Sequence, residues 1–124
     1  MTGRSETLLK AQVSILLESI WVTEFYNDAE DHIQYQNPIT KQNPRPEEDI
    51  TKIVSELQSL KNDILDEIVD DLIRNNIRTF EDISNNYTNV RDICHKRFAT
   101  YRKELWNVVK TEFPTRRVRN RAES

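Results

Sequence analysis

After Gly3 the chain contains no glycine. Domains built from hairpins, tight turns or phosphate-cradling loops use glycine repeatedly, because it enters left-handed backbone conformations without steric cost. A chain of 124 residues with one glycine is therefore expected to have few turns and long helices. The prolines agree with this. Pro38, Pro44 and Pro46 fall in one stretch and Pro114 near the end, which leaves the rest free to stay helical. The length is that of a single domain, and the fold expected is all-α.

Apolar spacing predicts three long helices, over about 5–27, 46–75 and 79–113, with a linker at 28–45. Together they form one helical-bundle domain over 1–114, followed by a disordered basic tail at 115–124. Ser5 is the expected N-cap of the first helix. That helix carries two apolar groups. Leu9, Val13, Leu16, Leu17, Ile20 and Trp21 make a broad face, and Leu8, Ile15, Val22 and Tyr26 make a second stripe on nearly the opposite side. In the linker, two Asn-Pro steps push asparagine away from helical conformation.

The second helix opens at Pro46 with Glu47, Glu48 and Asp49 against the positive end of its dipole. Its series Ile50, Ile53, Leu57, Leu60, Ile64 alternates three and four residues, a coiled-coil pattern that stutters onward through Ile68 and Leu72. Asn75 and Asn76 are expected to close it in left-handed conformation. Thr79 and Asp82 have capping-box spacing at the start of the third helix. Phe80, Ile83, Tyr87, Val90, Cys94, Phe98, Tyr101, Leu105 and Val108 continue the alternation, and the poor helix formers of "SNNYTN" at 84–89 predict a kink.

The short connection at 77–79 predicts an antiparallel, coiled-coil-like hairpin of helices two and three, with helix one packed across it. In a straight hairpin Asp63 approaches Arg91, and Glu47, Glu48 and Asp49 approach Arg102 and Lys103. This would account for part of a strong charge asymmetry. Residues 1–90 carry 8 Lys/Arg against 17 Asp/Glu, and residues 91–124 carry 10 against 4.

Groupings that carry chemistry are scarce. His32 and His95 lie far apart in sequence, and Cys94 sits in the apolar series as a small core residue. Asp92 and His95 have the i, i+3 spacing of a carboxylate–histidine metal pair, yet no second pair accompanies them. The acidic run from Asp63 to Asp71 is expected to be a solvated face. No catalytic, cofactor-binding or metal-ligating residues are assigned, and a non-enzymatic protein is expected. A lone cysteine forms no internal disulfide, and no apolar run approaches a membrane span. The expectation is an intracellular protein, nuclear rather than cytoplasmic on the strength of the basic tail.

The stripe Leu8, Ile15, Val22 and Tyr26, with Trp106 and Phe113, exceeds what three helices can cover among themselves. These residues are the expected partner-binding surface of an α-helical subunit in a multiprotein assembly. Its partners would be other helical subunits, or a second copy in a homodimer. The pattern of heptads, stutters and an Asn-Pro linker resembles that of small helical subunits of large eukaryotic assemblies, such as transcriptional coactivators and kinetochore complexes. The alternative reading is a nucleic-acid-associated helical protein using the basic region 91–121. In it Arg116, Arg117, Arg119 and Arg121 contact phosphate or serve as an import signal.

Overall fold

The computed structural model describes residues 2–111, with side chains from residue 7 onward. Among the described residues the protein is all-α apart from one two-stranded hairpin. Its elements are α1 (Thr2–Trp21), a π-helical turn (Val22–Tyr26), α2 (Asn27–Gln34), β1 (Tyr35–Asn37), β2 (Gln42–Pro44), α3 (Glu47–Arg74), α4 (Phe80–Asn85) and α5 (Tyr87–Val109). The first helix thus begins before Ser5, and it does not end near Asn27.

Helix continues through Gln34, into the stretch expected to be a linker. The reason is a run of core residues at strict spacing of four: Leu9, Val13, Leu17, Trp21, Phe25, Ala29 and Ile33 are all buried. On an ideal α-helix a step of four advances roughly 40° around the axis, so this run would wind away from the core. The wider π turn holds one additional residue and rotates the following face back by roughly 100°. Phe25, Ala29 and Ile33 thereby return toward the side of Leu9 and Val13.

The remainder of the expected linker is a hairpin with Tyr35 paired to Pro44 and Asn37 to Gln42. Lys41 and Asn43 supply the left-handed conformations that glycine usually provides, at φ 54° and 55°. The Arg45 amide donates to the Gln34 carbonyl at 2.8 Å and closes the excursion at its base.

Pro46 is the N-cap of α3, and three acidic residues follow it. At the other end Asn76 takes φ 62°, the Asn76 amide donates to the Ile73 carbonyl, and the Ile77 amide donates to the Leu72 carbonyl. This is a Schellman closure with Ile77 buried beneath it. The Thr79–Asp82 capping box is fully formed and starts α4. The backbone then breaks at Asn86, φ −126°, within the stretch where a kink is expected.

Arg97 meets Asp71, where a straight hairpin would place residue 83. The displacement arises because α4 and the break at Asn86 consume about two turns before α5 starts back along α3. The expected Asp63–Arg91 approach gives way to Arg97 bound by Asp71 and Glu67. Phe80 and Tyr87, expected in the core, are 63% and 49% exposed, and Ile77 is buried instead.

α1 runs antiparallel to α3, tied by Lys10–Asp66 at 2.8 Å and Lys61–Glu18 at 2.6 Å. It meets α5 through edge-on packing of Trp21 against Phe98, and the π turn does so through Phe25 against Trp106. The core between the three long elements is filled by Phe25, Phe98, Leu17, Ile64, Ile68, Leu72 and Leu105.

Candidate docking surface

The stripe expected on the first helix is present on the surface. Leu8 is 61% exposed, Ile15 67%, and Val22 and Tyr26 37% each. Leu8, Ile15 and Val22 are spaced by seven residues, which brings them to one line with only about 20° of drift per step. The core side of α1 points the opposite way, since Leu9, Val13, Leu17 and Ile20 are buried. Between Lys10 and Glu18 the exposed positions of α1 are Ala11, Ser14 and Ile15, with no charge among them.

Trp106 is placed differently from the expectation. It is half-buried, with its ring edge-on to Phe25 at 5.4 Å and to His32 at 5.2 Å and with the Lys110 ammonium 5.5 Å from its centroid. Its own chain uses most of its surface. Phe113 and the tail residues Arg116, Arg117, Arg119 and Arg121 lie outside the described residues. Within the described part of the basic region, Arg97 is held by Asp71 and Glu67, and Arg102 by Glu24 at 3.0 Å. These cations are already committed inside the bundle.

Further exposed apolar residues, not expected as contacts, are Ile39 at the hairpin tip, 96% exposed, Val54 on α3, and Phe80 and Tyr87 at the α4 corner. Ile39 was legible as an apolar residue between two turn-forming Asn-Pro steps. The exposure of Phe80 and Tyr87 depends on the break at Asn86 and had no local signal.

Several titratable residues are shifted or engaged by their surroundings. Burial pushes the Cys94 thiol up to about 11, so it remains protonated at neutral pH. His32 is held below its ordinary range, first by lost hydration and then by the charges of Lys110 and Arg45. Asp82 is lowered by the Arg78 amide and then by Thr79, the contacts of the capping box. Arg97 is raised, chiefly by its paired hydrogen bonds to Asp71. His95 Nδ1 contacts Glu24 at 2.7 Å, so the histidine is engaged across helices and not by Asp92 of its own turn. Among the described residues no group of three or more His, Cys, Asp or Glu is placed to hold a metal ion, and no helix is long and apolar enough to cross a membrane.

The chain matches no protein-family model, no curated protein and no solved structure with which it was compared.

Proposed function

We propose that this chain is a non-enzymatic helical subunit of a multiprotein assembly and docks on partner proteins by laying the outer face of α1 against their helices. In this reading α3 and α5 form a coiled-coil-like hairpin that carries α1 across it, and the hairpin acts as the rigid support. The observation that carries the proposal is the exposure of Leu8 and Ile15, at 61% and 67%, on a helix whose opposite face is fully used by its own core. Exposed apolar residues scattered singly are ordinary, but Leu8, Ile15 and Val22 in one line, followed by Tyr26, form the kind of patch that a partner covers. A heptad-spaced line suits a helix in particular, because a partner helix meets it once every two turns.

The test is Ile15→Asp/Val22→Asp in the full chain. A photo-crosslinker at Ser14 or Ser19 should trap a defined set of proteins in cells, and the double substitution should abolish it while circular dichroism stays unchanged. Ile39→Asp, an exposed apolar position on the hairpin, is the control and should leave the set intact. If the crosslinked set persists in the double variant, the α1 face is not the docking surface.

A further inference from the structure

The groove between α3 and α5 on the side away from α1 has two charged rims of matching pitch. On α3, Glu56, Asp63 and Asp70 are exposed and stand seven residues apart, about 10 Å per step. On α5 and its final turn, Lys96, Lys103 and Lys110 are exposed with the same spacing. At one end Glu56 borders an open depression of about 390 Å³ between the helices, floored by Leu60 and Val108 and lined from α5 by Glu104, an acid that stands inside the lysine rim. At the other end Lys96 borders one of about 320 Å³, floored by Ile93 and Arg97 and lined from α3 by Arg74, which pairs with Asp71. None of the six charges belongs to an ion pair among the described residues. Lys110 additionally lies near the Trp106 ring.

The two rims are also in register. α3 and α5 are antiparallel, with Asp71 level with Arg97 and Glu67 with Tyr101. Carried along both helices, this register sets Glu56 level with Lys110, Asp63 with Lys103 and Asp70 with Lys96, to within about 3 Å.

We propose that a second copy of this chain covers this groove. The two molecules are related by a two-fold axis parallel to the helices, so that the acidic rim of each lies along the basic rim of the other. A two-fold axis in this direction exchanges the rims and keeps the levels, so all three pairs are satisfied twice. The other face-to-face two-fold arrangement, with the molecules antiparallel, sets acid against acid and lysine against lysine, and is disfavoured. In the arrangement proposed, α3 of one copy faces α5 of the other. All neighbouring helices are then antiparallel, as in an up-down four-helix bundle. Half-buried Leu60, Ile93 and Val108 become its apolar floor, and the internally satisfied Arg97–Asp71–Glu67 cluster brings no unpaired charge. The surface is separate from the outer face of α1 and does not depend on it.

Sedimentation velocity of the full chain over a wide concentration range, at low and high salt, tests the proposal with two charge-reversed variants. These are Glu56→Lys/Asp63→Lys/Asp70→Lys and Lys96→Glu/Lys103→Glu/Lys110→Glu. The unsubstituted chain should dimerise, less tightly at high salt. Each variant alone has two rims of one sign and should dimerise roughly tenfold or more weakly. An equimolar mixture of the two should recover a mixed dimer, because both seams are then complementary. The milder pair Asp63→Lys and Lys103→Glu serves if either triple variant loses helical signal. A chain that is monomeric throughout overturns the proposal. So does a dimer that neither reversal weakens, or a mixture of folded variants that stays monomeric. Ile15→Asp/Val22→Asp should leave this dimer unchanged, and its loss there would assign self-association to α1 instead.

Discussion

At Arg45 the bundle takes a charged side chain into its interior, 7% exposed, and uses it to join two helix ends. Its Nε donates to the His32 carbonyl and its Nη2 to the Val109 carbonyl, both at 3.1 Å. Carbonyls in the last turn of a helix lack intrahelical donors, and a guanidinium fork can serve two of them at once. Arg45→Met is expected to lower stability by about 2–4 kcal/mol, because two charge-assisted hydrogen bonds are lost. Arg45→Lys should recover less than half of this, and urea midpoints give both values. Beside it, His32 packs edge-on to Trp106 and is held neutral by lost hydration and by Lys110 and Arg45. The unfolded chain takes up a proton at His32 near pH 6.5, whereas the folded chain does so only at lower pH. Stability contributed by the neutral ring is therefore complete above pH 6.5 and declines as the pH falls below it. His32→Gln should flatten that acid limb in urea midpoints taken on either side of pH 6.5.

At the scale of elements, the π turn is the feature that lets one helix serve the core along α1 and α2. A π turn is an α-helix with one residue added, so deleting Thr23 should close it into regular helix and leave the faces on both sides aligned. The deletion is expected to keep cooperative unfolding at a cost of roughly 1–2 kcal/mol. Deleting Ser14 from regular α1 should instead rotate every later core residue by roughly 100° and abolish folding. Thermal melts followed by circular dichroism separate the two outcomes. The same region shows what sequence made visible. α3 was legible because its apolar residues alternate three and four, its first turn is acidic, and Asn76 can close it. The Thr79 capping box and the weak stretch before Tyr87 were legible for similarly local reasons. α2 was missed because Ala29 and Ile33 are its only buried positions among six polar residues. The fours running from Trp21 through Phe25 and Ala29 to Ile33 were the available signal, but they make a face only if a π turn intervenes. Of the candidate surface, the α1 stripe was legible from its opposition to the core face. The half-burial of Trp106 was not, since it depends on α2 existing to bring His32 beside it.

Over the whole molecule, part of the asymmetry between an acidic first part and a basic last part becomes, among the described residues, a set of contacts between helices. Arg97 and Arg102 are taken up by Asp71, Glu67 and Glu24, and the lysines of α5 are left facing outward. The division between inner and outer α1 has a direct thermodynamic signature. Ile15→Ala should change stability by about 0.5 kcal/mol or less, as surface changes do. Leu17→Ala, which empties a fully buried site, should cost about 2–5 kcal/mol. Chemical denaturation of the two variants gives both values; comparable losses would mean that the outer face is also packed. The short β-ribbon between α2 and α3 has a further use. Its base is tied by one backbone hydrogen bond from Arg45 to Gln34, and its tip at Ile39 stands 96% clear of the protein. Chain length added at that tip need not be transmitted to the helices below, so a foreign domain such as a fluorescent reporter, grafted between Ile39 and Thr40, would ride on the bundle without entering its fold.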